Sequence, residues 1–226
     1  MDKVDYGIDD LIGTPFWNLI QENPLINDDT LQWEDGPSSI SQWEDAKASS
    51  FEGRQEVHNY RADTRLPDEV IPQQESTQRY DVRKSKIAWL TDHNLMQQLS
   101  TSVNLYNKKN WNYDLSGCDA LQYGIYHEGD HYDWHVDEEG KTPNIQGEFH
   151  MRKLSMTIWL NDPDEYEGGE LDIEINGPYK NLRYNTLKLS KGSIVIFKSS
   201  LWHRVRPVTS GVRKSLVTWF RGTPFR

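Results

Sequence analysis

The sequence predicts a mainly β protein, a sandwich or jelly roll with supporting α-helices packed on one sheet. From Ser116 onward, apolar and polar residues alternate with a period of two, which is typical of strands whose faces meet different surroundings. The clearest case spans residues 151–161. There, one face holds Leu154, Met156, Ile158 and Leu160, and the other holds Ser155, Thr157 and Trp159.

Further short strands are predicted in quick succession, separated by Gly, Pro, Asn and Ser. The candidates are Gly169 to Ile175, Thr186 to Leu189, Ser193 to Lys198, His203 to Val208 and Arg213 to Phe220. The spacing therefore favours a sandwich or jelly roll over a βαβ sheet.

Two helices are predicted ahead of these strands. The first spans Asp9 to Glu22. The second follows Asp92, whose carboxylate can accept hydrogen bonds from the free backbone N–H groups of a first helical turn. Its apolar residues recur with helical spacing and form one stripe of Leu95, Met96, Leu99, Val103 and Tyr106. We expect this second helix to pack on a sheet.

The chain divides by composition at about residue 84. Residues 1–84 are rich in Asp, Glu, Gln, Ser and Asn, with Trp17, Trp33 and Trp43 as scattered aromatic anchors. We expect them to form a loop and helix support region of the same domain, and residues 85–226 to form the β core. The support region could cover one sheet or form part of a substrate wall, and the sequence leaves both roles open.

Composition excludes several classes of protein. The 226 residues suffice for one domain, and a mean hydropathy of −0.82 without a long apolar run predicts no membrane span. The N-terminus lacks the basic and then apolar pattern of a secretory signal. The single Cys118 makes no intramolecular disulfide, which fits a reducing, cytoplasmic setting.

The net charge of −10 is unevenly distributed along the chain. Eleven basic residues and no acidic ones follow Glu174. The basic strands could pair with earlier acidic segments, or they could line an electropositive cleft for an anionic co-substrate. The acidic segments 137–139 and 162–174 likewise allow two interpretations, a rim that attracts a basic peptide or solvated loops.

The strongest functional signal is His135-x-Asp137 with a distant His203. Alternate residues of a strand point to the same side, so His135 and Asp137 project together. Two imidazoles and one carboxylate form the facial triad that holds Fe(II) and leaves coordination positions open. Arg213 lies ten residues after His203 and could hold an anion beside the metal, since a guanidinium grips a carboxylate through two parallel N–H donors. We expect the nearby His127 and His131 to be exposed loop residues or substrate contacts rather than metal ligands.

These residues lie in blocks that resemble, in order, the Fe(II)- and 2-oxoglutarate-dependent dioxygenases of the prolyl 4-hydroxylase superfamily, and above all its PKHD-type hydroxylases. The blocks are Leu121 to Asp137, Arg152 to Asp162, Tyr166 to Leu171, Lys191 to Phe197 and His203 to Arg213. Several blocks in the right order are more specific than one short pattern.

The resemblance implies a double-stranded β-helix with iron at its mouth and a catalytic centre formed by the metal ligands His135, Asp137 and His203. It further implies 2-oxoglutarate and O₂ as co-substrates and ascorbate as a reductant. Arg213 would bind 2-oxoglutarate, with Tyr126 and Ser215 as further hydrogen-bond donors. Some members carry a co-substrate-binding tyrosine at the position of Trp159, where an indole offers one N–H and more bulk.

The activity implied by the resemblance is hydroxylation of a C–H bond in a prolyl residue of a peptide or protein, with release of succinate and CO₂. The same chemistry on a free amino acid or small metabolite stays open as an alternative. Nucleic-acid demethylation and non-catalytic metal binding are further alternatives, although the overall negative charge opposes tight phosphate binding. No membrane partner is expected, and the sequence indicates no oligomeric state.

Overall fold

The computed structural model describes residues 6–10, 34–35, 83–138, 142–143, 149–175 and 183–225. Sixteen strands and one helix lie in these ranges. The strands before the helix are β1 (Tyr6–Asp10), β2 (Glu34–Asp35), β3 (Arg83–Lys84) and β4 (Lys86–Leu90), and the helix is α1 (His93–Asn110). The strands that follow are β5 (Leu115–Cys118), β6 (Leu121–Tyr126), β7 (His131–His135), β8 (Thr142–Pro143), β9 (Phe149–Trp159), β10 (Tyr166–Gly168), β11 (Leu171–Glu174), β12 (Tyr184–Leu187), β13 (Ser193–Lys198), β14 (His203–Val205), β15 (Val208–Gly211) and β16 (Arg213–Gly222).

The strands form two main antiparallel sheets. The larger sheet has the order β1-β13-β9-β16-β6-β4-β2, with β5 paired to β16 and β8 to β9. The smaller sheet has the order β12-β11-β14-β7-β3, and β10 pairs with β15 as a separate ribbon. The predicted mainly β architecture is confirmed.

Strand β9 shows how the core is divided. Its even-numbered residues Leu154, Met156 and Ile158 pack against the helix side of the larger sheet, in one cluster with Leu95 and Leu99. Its odd-numbered residues face the smaller sheet, where Trp159 packs with Leu171 and Ile173 of β11. The predicted alternation of β9 is thus confirmed, and it places one core behind the larger sheet and a second core between the two sheets.

Helix α1 begins and packs as predicted. The Asp92 carboxylate accepts hydrogen bonds from the backbone N–H groups of Asn94 at 2.9 Å and Leu95 at 3.0 Å. Lys108 and Lys109 lie in the last turn, where positive charge interacts favourably with the helix dipole. Leu95, Leu99 and Val103 are all buried against the sheet.

Part of the other helix prediction is wrong. Asp9 and Asp10 belong to strand β1, where they pair with Ile194 and Ser193 of β13. Pairing with a strand far along the chain outweighs the local helical preference that the sequence suggests. The rest of the predicted helix, residues 11–22, lies outside the described residues.

Several predicted strands have different bounds in the structure, and the one predicted from Thr186 to Leu189 is β12, Tyr184–Leu187. The segment predicted as His203 to Val208 contains two strands, β14 and β15, separated by Arg206 and Pro207; a proline cannot donate to a sheet ladder. The strand predicted from Gly169 begins instead at Leu171, after Gly168 and Gly169 with φ of 70° and 64°. In the described part of the chain, we find no helix with the length and apolar character needed to cross a bilayer.

Candidate active site

The smaller sheet brings the two histidines of the predicted triad together. Strands β7 and β14 are antiparallel neighbours, and His135 lies directly opposite His203. Asp137 follows two residues after His135, just beyond the end of β7. Ligand atoms of His135, Asp137 and His203 all lie within 4.8 Å of one another, close enough to share one metal ion.

Backbone carbonyls orient both imidazoles. Nδ1 of His135 lies 2.7 Å from the carbonyl oxygen of Asp133, and Nδ1 of His203 lies 2.9 Å from that of Leu201. A carbonyl only accepts hydrogen bonds, so each Nδ1 carries a proton, and in the neutral imidazole this leaves the lone pair on Nε2. The Nε2 atoms lie 3.6 Å (His135) and 3.2 Å (His203) from Asp137 carboxylate oxygens. Both Nε2 atoms are therefore close enough to Asp137 to bind the same metal ion through their lone pairs.

The electrostatics of the cluster also suit a cation. Burial, with the neighbouring charge of His203, lowers the pKa of His135 to about 4. Burial opposes ionisation of Asp137, but the two neighbouring imidazoles, His203 above all, outweigh it and hold the pKa of this carboxyl well below its usual range. Burial alone would lower the pKa of His203, yet the Asp137 carboxylate raises it. At neutral pH the cluster therefore offers an ionised carboxylate and a neutral His135.

Aromatic rings fix the imidazole planes. Tyr132 stacks on His135 with 3.5 Å between ring centroids and 11° between the planes. Phe197 meets His203 edge-on, with centroids 4.8 Å apart. Ligands locked by packing need little reordering when a metal binds.

The triad lines a cavity that extends along β16. Alternate residues of this strand, Arg213, Ser215, Val217 and Trp219, all face the cavity. The other lining residues outside the triad are Arg83, Gln122, Tyr126, Tyr132, Thr157, Leu171 and Val205. All six sequence-predicted site residues, His135, Asp137, His203, Arg213, Tyr126 and Ser215, thus meet at one cavity.

Arg213 is a buried charge whose surroundings fit an anionic ligand. It is 1% exposed, and it has no carboxylate partner among the residues that the structure describes. One terminal nitrogen, NH1, donates to Ser215 Oγ at 3.0 Å, and the guanidinium carbon lies 5.3 Å from the centroid of the Tyr126 ring. Its Nε has no hydrogen-bond partner. A permanently charged, buried guanidinium is costly without an anion, so these residues fit a carboxylate such as that of 2-oxoglutarate.

Two further buried polar atoms lie near Arg213, the Tyr166 hydroxyl and Trp159 Nε1. Burial raises the pKa of Tyr166, and the positive charge of Arg213 partly offsets this. A side chain at Gly169 would touch both Arg213 and Tyr166, with its Cβ 3.0 Å from Arg213 Cδ and 3.2 Å from Tyr166 Cε2. Trp159 does not line the cavity. The structure therefore adds Tyr166 to the surroundings of Arg213, which sequence reasoning missed.

Sequence reasoning also missed the residues that complete the cavity wall. Gln122 and Tyr132 lie within the block Leu121 to Asp137 without a role assigned to them, whereas Arg83 and Trp219 lie outside all five blocks. The period-two pattern of β16 could have identified Trp219, because it shares the face of Arg213. His127 and His131 lie outside the metal-ligating cluster, as expected, but only His127 lies in a loop, because His131 is the first residue of strand β7.

The uneven charge distribution has a structural explanation. Asp172 is 0% exposed and accepts hydrogen bonds from Nε of Arg204 at 2.7 Å and Nε of Arg206 at 2.8 Å. Glu174 forms an ion pair with Arg183 at 3.1 Å. Pairing of late basic strands with an acidic segment is therefore confirmed, and these two carboxylates do not line the cavity.

Comparisons with known proteins agree with this geometry. Residues 121–221 match the family model of the 2OG-Fe(II) oxygenase superfamily. The chain is 39% identical over 97 residues to a PKHD-type hydroxylase of Psychrobacter sp. (strain PRwf-1), and 41% identical over 97 residues to one of Hyphomonas neptunium. These matches cover 43% and 42% of this chain but 36% and 39% of those proteins, so the chain spans only about two fifths of the length of the relatives it matches.

A solved structure shares the fold. A prolyl-4-hydroxylase of Pseudomonas putida superposes with a TM-score of 0.51 and 17% sequence identity, covering 92% of this chain and 100% of that protein. At this identity the likeness concerns the fold alone, which agrees with the predicted double-stranded β-helix.

Proposed function

From its confirmed resemblance to the 2OG-Fe(II) oxygenase superfamily over residues 121–221, we propose that this chain is an Fe(II)- and 2-oxoglutarate-dependent dioxygenase that hydroxylates a prolyl residue in a peptide or protein. The observation that carries the proposal is one cavity that contains both a two-histidine, one-carboxylate cluster and a buried arginine that has no carboxylate partner among the described residues. This combination suits a metal and a dicarboxylic co-substrate bound side by side.

His135, Asp137 and His203 would hold the iron. Together with 2-oxoglutarate and O₂, bound iron supplies the oxidising chemistry that yields succinate, CO₂ and a hydroxylated C–H bond. Arg213 would bind the distal carboxylate of 2-oxoglutarate, because its guanidinium stays charged and offers parallel donors. Ser215 and Tyr126 line the same part of the cavity and would add hydroxyl donors. Ascorbate would serve to keep the metal reduced.

The remaining polar wall of the cavity supports a peptide substrate. Arg83 is 6% exposed and donates to Gln122 Oε1 at 2.9 Å, and its guanidinium carbon lies 4.6 Å from the centroid of the Tyr132 ring. Trp219 lines the same cavity. Aromatic faces suit a pyrrolidine ring, and a guanidinium suits a peptide carbonyl. The relatives named PKHD-type hydroxylases support hydroxylation as the reaction.

One observation favours a second candidate substrate. Arg83 has no carboxylate partner among the described residues, so its charge could instead bind the α-carboxylate of a free amino acid or small metabolite. The two candidates share their chemistry and differ in what Arg83 recognises.

The test is succinate formation by the purified full chain with Fe(II), 2-oxoglutarate and ascorbate. We expect proline-containing peptides to stimulate succinate formation and to gain the mass of one oxygen atom. Stimulation by free amino acids but by no peptide would support the second candidate. A wild-type chain that forms no more succinate than the Asp137→Ala variant with any substrate would overturn the proposed function.

A further inference from the structure

Two buried serines lie directly behind the Asp137 carboxylate. Ser155 Oγ donates a hydrogen bond to Asp137 Oδ2 at 2.7 Å, and Ser199 Oγ lies 3.0 Å from Ser155 Oγ. Ser155 is 1% exposed and Ser199 is 0% exposed, so water does not compete for these bonds. The two hydroxyls and the carboxylate form a dry, continuous chain of polar groups.

The order of donation along these hydrogen bonds follows from which groups can donate and which can only accept. A carboxylate oxygen accepts hydrogen bonds, and Ser155 Oγ lies 2.7 Å from Asp137 Oδ2, so the Ser155 hydroxyl is the donor of this bond. A serine hydroxyl has one hydrogen, and that of Ser155 is used by Asp137. Ser199 must therefore donate to Ser155, which leaves a single order of donation from Ser199 through Ser155 to Asp137.

Backbone hydrogen bonds hold the same three segments in register. The carbonyl oxygen of Ser199 accepts from the backbone N–H groups of Asp137 at 3.0 Å and Glu138 at 2.9 Å. The N–H of Ser199 donates to the carbonyl of Lys153 at 3.0 Å, two residues before Ser155. Ser199 is thus fixed both to the segment that carries Asp137 and to the strand that carries Ser155.

We infer that Ser155 and Ser199 are positioning residues that fix the orientation of the Asp137 carboxylate and thereby set the metal affinity of the site. The terminal torsion of an aspartate is broad and roughly two-fold, so packing alone orients it weakly. The hydrogen bonds from Ser199 through Ser155, the serine relay, end at Asp137 Oδ2. The other oxygen, Oδ1, lies 3.6 Å from Nε2 of His135 and accepts no hydrogen bond from the described residues. Oδ1 is thus kept available as a single ligand atom. This inference rests on the proposed function, because it assumes that Asp137 binds the metal.

The test measures metal binding without turnover. Co(II) serves as the probe, and its dissociation constant and visible absorption spectrum are recorded for the full chain in the absence of 2-oxoglutarate. We expect Ser155→Ala to raise the dissociation constant about tenfold or more, as losses of hydrogen bonds to metal ligands generally do, and to change the spectrum. Ser100→Ala is the matched control, because Ser100 lies in helix α1 with its hydroxyl against Cys118.

A double-mutant cycle separates a relay from general packing. We expect Ser199→Ala to weaken Co(II) binding about threefold in the wild-type background and to have no further effect on Ser155→Ala, because Ser199 acts only through Ser155. Losses that add independently would overturn the relay, and so would a Ser155→Ala variant that binds Co(II) within twofold of the wild type. A wild-type chain that binds no Co(II) would instead overturn the proposed metal site itself.

Discussion

His135 and His203 lie directly opposite each other on antiparallel strands, with their ring centroids 4.1 Å apart. The pair therefore depends on the register of β7 and β14 as much as on the identity of the residues. Because Asp137 joins this pair from the end of the same strand, the three side chains act as one unit, and removal of any of them should disable the site.

Asp137→Ala is expected to abolish succinate formation and to lower metal affinity by at least about a hundredfold, because it removes the only carboxylate of the triad. Succinate and Co(II) binding are measured together. Glu138→Ala is the matched control, since the neighbouring Glu138 lies outside the triad. Wild-type turnover in Asp137→Ala would contradict the assigned role.

Arg213→Ala is expected to raise the KM for 2-oxoglutarate about ten- to a hundredfold, because a hydrogen bond to a charged group is worth about 1.5–3 kcal/mol and Arg213 can form two. Arg213→Lys should be intermediate, since an ammonium keeps the charge but loses the planar fork. Lys214→Ala, on the opposite face of β16, is the control. An unchanged KM in Arg213→Ala would exclude it as the co-substrate anchor.

Tyr166→Phe is expected to raise the KM for 2-oxoglutarate about two- to tenfold with little change in kcat. The variant removes one hydroxyl near Arg213, and a net hydrogen bond is worth about 0.5–1.5 kcal/mol. Tyr184→Phe makes the same chemical change in β12, away from the cavity, and should leave the KM unchanged. An equal change of this KM in both variants would show that the Tyr166 hydroxyl makes no specific contribution to 2-oxoglutarate binding beside Arg213.

Arg83→Gln is expected to raise the KM for the hydroxylated substrate about tenfold while the KM for 2-oxoglutarate stays the same. Arg83 lines the cavity, whereas the adjacent Lys84 is exposed and pairs with Asp130 at 3.2 Å, so Lys84→Ala is the control. The magnitude follows from loss of one charge-assisted hydrogen bond. A rise in the KM for 2-oxoglutarate alone would show that Arg83 binds the co-substrate and not the hydroxylated substrate.

Asp172→Ala is expected to lower the free energy of unfolding by about 2 kcal/mol, because two arginines and Thr186 lose a buried acceptor. Urea denaturation of the metal-free chain gives the value. Asp164→Ala changes an exposed acidic residue and should have no effect. Since Arg204 lies next to His203, we also expect Asp172→Ala to weaken metal binding. A variant as stable as the wild type would show that the hydrogen bonds to Asp172 do not stabilise β14.

Local patterns predicted the parts of the site that depend on local geometry. His135 and Asp137 are two residues apart on an extended segment, and the Asp92 cap with its apolar stripe defines α1 without reference to the rest of the fold. The contact of Ser155 with Asp137 and the approach of Tyr166 to Arg213 depend on how separate strands are aligned, which one sequence does not specify. Asp9 and Asp10 show the same limit, because their strand exists through pairing with β13.

Strand β16 gives the site a fixed scale. Arg213 and Trp219 face the same cavity six residues apart, which corresponds to about 20 Å of extended chain. The co-substrate and the substrate would therefore bind at fixed positions along one strand, which pairs with β6 on one side and with β9 on the other. A shift of one residue in the register of β16 would turn all of its cavity-facing side chains to the opposite face of the sheet. Binding of the co-substrate and binding of the substrate should therefore be lost or kept together.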